Sequence, residues 1–184
     1  MSGGDNLSLG EDFFAPRESS EQARAPEPAS GSGLVLESPV FRVQVPELWV
    51  AQPLPPQAPR GDAALNHTVF GFSLFQTVVA PPPGAPANTQ DAVKRAMLAR
   101  LDQLSANGHQ LTPGRMAFTG KPFGPVGICD VVLDERRYGV MVGYGFPEVV
   151  LIHFMDGDVG QEPAVQKAVQ ALLDGVSYSG GGTA

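Results

Sequence analysis

The side chains of this 184-residue chain that could do chemistry are few: one cysteine, three histidines and some clustered carboxylates and glycines. Cys129 and His153 fall in β-patterned segments that a meander could bring side by side. A thiolate beside an imidazole is the basis of a cysteine nucleophile, so a cryptic cysteine-dependent enzyme is one reading of the pair. The competing reading is a small buried hydrophobe at Cys129, which lies mid-strand rather than at a helix N-terminus. His67, His109 and His153 sit in separate segments without paired ligand spacing, and a zinc site needs several convergent N or S donors. No metal is expected. His67 and His109 read as strand-edge or turn residues, and His153 as a partly buried sheet residue. Asp156-Gly157-Asp158 resembles the start of a calcium loop but lacks the remaining ligands, so it is expected to be a tight turn. Gly120-Lys-Pro-Phe-Gly124 and Gly143-Tyr-Gly145 lack the Gly-Lys-Ser/Thr signature and strand-to-helix context of a phosphate loop, and no cofactor is implied.

The elements that would position these residues follow from periodicity. Phe41, Val43 and Val45 alternate with polar residues, the period of a half-buried strand, and Pro46 stops it. Leu48-Trp49-Val50 comes next, then a Pro-rich surface connection from Pro53 to Pro59. Thr68 to Val79 reads as one strand, with Phe70, Phe72, Leu74 and Val78 on the same side. Asn88 or Thr89 can cap a helix over Gln90 to Ala106, whose Val93, Met97, Leu101 and Leu104 have helical spacing, and Asn107-Gly108 stops it. Strands are expected at Gln110 to Phe118, Val126 to Leu133, Tyr138 to Phe146 and Val149 to Met155. Asp134-Glu-Arg-Arg137 makes a hairpin turn, and the short connections make the pairing antiparallel. Gly139, Gly143 and Gly145 leave room on one face for a bulge or another element. A last helix runs from Pro163 to Asp174 and ends at Gly175, with Val176 to Tyr178 extended. The fold class is therefore α+β: an antiparallel sheet covered by helices.

Composition sets the domain plan. Residues 1–32 are rich in Ser, Glu, Ala, Pro and Gly and are expected to be a disordered tail. Residues 33–178 form a single α+β domain of ordinary size, and residues 179–184 a flexible C-terminal tail. The apolar fraction of 42% suffices for a core. The formal charge of −7 disfavours nucleic acid, whose binders need clustered Lys and Arg. One cysteine gives no internal disulfide, the first residues show neither a basic nor an apolar signal region, and no apolar run approaches the roughly 20 residues of a membrane span. Cytoplasmic location without membrane insertion is the expectation.

The segment Phe41-Arg-Val43-Gln-Val45-Pro46-Glu-Leu-Trp49 resembles the opening strand, proline and tryptophan of the PsbP-like superfamily, especially its bacterial DcrB-like branch. Ala168-Val-Gln-Ala-Leu172-Leu-Asp-Gly-Val-Ser177 is similar to that family's closing helix, and the helix at Gln90 to Ala106 followed by a meander also fits. The resemblance covers nearly the whole domain. It implies a helix-covered antiparallel sheet used for protein binding, as in a photosystem extrinsic subunit, a nuclear-import factor that binds a small GTPase, and chaperones that shield hydrophobic helices of secreted bacterial effectors. It brings no catalytic residues.

The expected function is a non-enzymatic protein-binding module, such as a chaperone or adaptor in a bacterial secretion or assembly system, or else a structural subunit of a larger complex. Two groups of residues are candidates for binding a protein partner. Leu7, Leu9, Phe13 and Phe14 lie beside acidic residues in the tail, as in a short docking motif, with chance clustering as the alternative. Trp49, Phe123, Tyr144 and Phe146 have Gly and Pro neighbours that can place aromatic rings on a groove or loop, with burial in the core as the alternative.

Overall fold

The computed structural model describes residues 33–180; the tail 1–32, with the Leu7 to Phe14 cluster, and residues 181–184 lie outside the described residues. Eleven strands and two helices are present among the described residues: β1 (Val35–Glu37), β2 (Phe41–Gln44), β3 (Trp49–Gln52), β4 (Ala63–His67), β5 (Ser73–Val79), α1 (Gln90–Ala106), β6 (Leu111–Pro113), β7 (Ala117–Lys121), β8 (Gly124–Leu133), β9 (Arg137–Gly145), β10 (Val150–Asp158), α2 (Glu162–Asp174) and β11 (Val176–Tyr178). The fold is α+β and every strand pair is antiparallel. An eight-stranded sheet has the order β3-β4-β5-β10-β9-β8-β6, with β7 also on β8, and a three-stranded sheet has the order β1-β2-β11.

The large sheet is covered on both faces. One face carries Phe75, Cys129, Val131, Met141, Ile152 and Phe154 against α1 through Val93, Met97, Leu101 and Leu104. The other carries Leu65, Leu74, Val140, Tyr144, Leu151 and Met155 against Val165, Val169 and Leu172 of α2 and Phe41 and Val43 of the small sheet. β9 and β10 are consequently buried at nearly every position, which is why their sequences run apolar instead of alternating.

The helix ends agree with their sequence signals. Thr89 caps α1 by accepting the Ala92 N–H at 3.2 Å, and Gly108 ends it at a positive φ of 92°. Pro163 sits in the first turn of α2 and Gly175 at its C-cap. Asp134 and Glu135 both adopt positive φ, 51° and 57°, so the β8–β9 hairpin turns through two left-handed residues without a glycine.

Four expectations are corrected. Thr68 to Val79 is not one strand: β4 precedes it, and residues 68–72 form the turn into β5, which leaves Phe70 exposed. Gln110 to Phe118 divides into β6 and β7, both on β8, where Gly114 N–H bonds the Asp130 carbonyl at 2.7 Å. Asp156-Gly157-Asp158 is the end of β10 and not a turn. β1, β3 and β4 are strands where none is expected; each is short and lies beside a Gly- or Pro-rich stretch.

Gly143 and Gly145 serve the helix contact. A Cβ on Gly143 would lie 2.8 Å from Val93 Cγ1 and 2.9 Å from Met97 Cγ, so the bare backbone of β9 is what lets α1 approach. Gly143→Val is expected to cost about 1–3 kcal/mol by overpacking. Adding Val93→Ala should recover part of that loss in urea unfolding; two strictly additive losses would show that the contact is not the cause.

Across the opposite face runs a buried polar chain. Gln76 donates its amide N–H to the Gly61 carbonyl at 2.7 Å, which turns its oxygen toward His153 Nε2 at 2.9 Å. His153 Nδ1 then faces the Tyr144 hydroxyl at 3.2 Å. This order assigns the imidazole as neutral, with its proton on Nε2 and Nδ1 accepting from Tyr144. Burial pushes the His153 pKa down from 6.5 to about 3, so the unfolded chain takes up a proton that the folded one refuses as pH falls through that window. Between about pH 7.5 and pH 5 this should cost on the order of 2 kcal/mol of stability. His153→Gln should remove roughly that much of the pH dependence of the urea midpoint, whatever it does to stability at pH 7.5. An unchanged pH dependence would refute the assignment.

Candidate functional site

Register excludes the Cys129–His153 pair. Cys129 lies opposite Met141, which lies opposite Phe154, all on the α1 face; His153 lies opposite Val142 on the α2 face, with β9 between the two strands. The thiol instead sits near the Gly114 and Asp130 carbonyls at 3.5 and 3.4 Å, and burial raises its pKa. His153 is 1% exposed and committed to Tyr144 and Gln76. Neither group is placed to act on a substrate.

The other chemistry-bearing residues are absorbed by structure. His109 Nδ1 pairs with Asp134 Oδ2 at 2.8 Å, and this bond together with the Gln110 N–H lowers the Asp134 pKa. Fully buried Asp156 is bound through Oδ2 by Arg137 Nε, and Arg137 also reaches Asp158 at 3.3 Å. Desolvation raises the Asp156 pKa against the pull of Arg137. This carboxylate pair therefore serves an arginine clamp at the sheet end, and among the described residues no group of three metal-ligating side chains converges. Gly120 to Gly124 forms the β7–β8 hairpin, where Lys121 pairs with Gly124 and Pro122 and Phe123 make the turn.

The structure divides the aromatic candidates. Tyr144 and Phe146, 1% and 0% exposed, are core residues and offer no binding surface. Trp49 is buried edge-on against His67, with ring centres 5.1 Å apart. Phe123 is half-buried, its ring centre 4.7 Å from that of Phe146. Among the described residues the exposed large apolar side chains are different ones, of which Leu98 on α1 and Val159 after β10 stand apart from the rest. Leu48, Val69 and Phe70 are 55%, 64% and 51% exposed, and Val50 is 41% exposed beside them. They meet at one end of the β3–β4–β5 sheet margin, where Thr68 N–H donates to the Leu48 carbonyl at 2.8 Å.

This tip is held in shape. His67 Nδ1 accepts the N–H groups of Val69 and Phe70, each at 3.2 Å, which requires that nitrogen to be unprotonated. Burial lowers the His67 pKa and favours that state. Phe70 stacks on Phe72 at 5.2 Å, and Leu48 adopts a φ of +75°, a left-handed conformation that costs a leucine about 1–2 kcal/mol. Sequence reading missed the tip because Phe70 has the right parity for the inner face of an extended strand. The signal that could have found it is Gly71, whose φ of 66° breaks the strand there.

A pocket of about 180 Å³ lies farther along the same margin, between the Pro-rich loop, β4–β5 and the C-terminal half of α1. Its walls include Leu54, Pro55, Phe75 and Leu104, with Asp62 and Arg100 as its charged groups. Arg100 Nη1 donates to Gln103 at 2.6 Å, but its Nε is buried without a hydrogen-bond partner. Desolvation lowers the Arg100 pKa and the charge of Asp62 opposes the shift. Asp62 has its own pKa raised by burial and accepts the Val78 N–H at 2.9 Å.

No family model and no curated protein matches the chain. Among solved structures it is similar to the solution structure of cyanobacterial PsbP (CyanoP) from Synechocystis sp. PCC 6803, with a TM-score of 0.61 and 10% identity, covering 84% of this chain and 97% of that one. A Bacteroides thetaiotaomicron protein matches at a TM-score of 0.46 and 9% identity, over 80% of this chain and 49% of that one. With the antiparallel sheet and its helical cover already described, the extent of the first match shows that the chain has a PsbP-like fold.

Proposed function

We propose that the protein is a non-enzymatic binding module, an adaptor or chaperone-like subunit, that presents the tip formed by Leu48, Val69 and Phe70 to an apolar segment of a protein partner. The observation that carries this reading is the tip itself. Three large apolar side chains are held out in water, on a turn braced by His67 and by a strained Leu48. Exposed apolar residues clustered on a rigid scaffold are what an interface core requires, and backbone strain is retained where it shapes such a site. The sequestered Cys129 and His153 favour binding over catalysis in the same reading.

Affinity capture by the full chain, compared with Phe70→Asp and Val69→Asp, tests the proposal. Specific partners should fall at least about tenfold with either substitution, since losing a central apolar anchor costs 2 kcal/mol or more. The melting temperature should move by only a few degrees, because the replaced side chains are exposed. Equal recovery by all three proteins would end the proposal.

The thiol gives an independent check. Cys129 in the native protein at neutral pH should react with a disulfide reagent at least about a hundredfold more slowly than in denaturant, because its burial disfavours the thiolate. Fast native labelling would reopen a cysteine-based activity.

A further inference from the structure

The pocket beside Arg100 has the chemistry of a docking site for an acidic, aromatic peptide, and the chain carries one. Its volume of about 180 Å³ compares with the roughly 150 Å³ that accommodates a benzene ring in a protein interior. Leu54, Pro55, Phe75 and Leu104 give it apolar walls. Arg100 is the cationic group of the lining and a guanidinium keeps its charge, so the wall favours an anionic oxygen. An occupant should therefore bring one phenyl-sized group and one oxygen acceptor close together. In the sequence Leu7-Ser-Leu-Gly-Glu11-Asp12-Phe13-Phe14, two carboxylates directly precede two phenyl rings.

We infer that residues 7–14 of this chain dock in the pocket, with the Phe13 or Phe14 ring against Phe75 and Leu104 and the Glu11 or Asp12 carboxylate on Arg100. Length permits it. Leu34 is hydrogen-bonded to Val45, and pocket-lining Leu54 follows Val45 by nine positions, a distance of at most about 30 Å. Residues 15–32 span up to about 60 Å when extended, and a flexible linker of that length has a root-mean-square span near 23 Å. Linkage at that range gives an effective concentration near the millimolar level, so even a weak contact is populated. Asp62 is the acidic group of the lining and tempers the attraction, so ring burial supplies most of the energy and Arg100 fixes the orientation. The inference is independent of the apolar tip, which involves other residues.

The test is amide NMR on the full chain with a nitroxide at Ser8→Cys, the native thiol at 129 being buried. Amides of residues 61–63, 75–77 and 100–107 should lose more than half their intensity, while those of 67–71 at the tip should not. Phe13→Ala with Phe14→Ala should restore at least most of the intensity, and Arg100→Gln should restore part of it. Both substitutions in the tail leave the described core untouched, so loss of folding cannot imitate the result. Broadening that appears only between differently labelled chains would make a second copy the occupant and overturn the inference. Unaltered pocket amides, or broadening centred on the tip, would overturn it as well.

Discussion

Covering the large sheet on both faces is the constraint on which the rest of the structure depends. Once α1 lies on one face and α2 with the small sheet on the other, β9 and β10 have no wet side. Each polar group on those strands must find its partner inside the protein or pay the cost of desolvation. The Tyr144–His153–Gln76–Gly61 chain, the Arg137–Asp156 clamp and the Gln166–Tyr138 bond are the places where side chains meet this requirement. One oxygen of Asp156 has no partner, which fits a site at the sheet end more than one deep between the helices. The same cover puts Cys129 and His153 on opposite sides of a closed sheet.

The apolar tip and the Arg100 pocket both lie at the β3–β4–β5 margin, and they differ physically. The tip is convex: Leu48, Val69 and Phe70 project from a turn that His67 and Phe72 support from within. It suits insertion into a partner's groove. The pocket is concave, apolar and edged by an arginine with an unsatisfied donor, and it suits a ring with a carboxylate neighbour. The two also respond to different solution variables. Protonation of His67 would remove the acceptor that the tip relies on, whereas the Arg100 interaction is moderated by salt and by the state of Asp62.

The sequence made the α+β class and both helices legible because those features rest on local physics. Val93, Met97, Leu101 and Leu104 repeat at helical spacing, and Thr89, Asn107 and Gly108 bound them; Pro163 and Gly175 do the same for α2. Gly139, Gly143 and Gly145 leave room for a bulge or another element, and only the packed structure shows that Gly143 and Gly145 face α1. What could not be read were the consequences of pairing. The face of a strand residue is fixed by register, so the separation of Cys129 from His153 and the burial of Tyr144 and Phe146 emerge only when β8, β9 and β10 are aligned. Phe70 was misplaced because one turn at Gly71 reverses what strand parity assigns. Arg100 shows as a polar residue on a helix; its buried Nε depends on a loop some forty residues earlier in the chain.

That loop is positioned by the core, and so is the pocket wall that it forms. The Gly61 carbonyl receives the Gln76 amide, and Asp62 receives the Val78 N–H, so two adjacent residues at the end of the loop are bonded to β5. Gln76 is itself held by His153, and His153 by Tyr144, two strands away. The pocket wall thus hangs from a chain of hydrogen bonds that runs through the driest part of the sheet. A wall fixed in this way does not have to be ordered when an occupant arrives, and the entropy cost of binding falls mainly on the occupant. The buried polar chain that sequesters His153 is also what holds the wall of the neighbouring pocket in place.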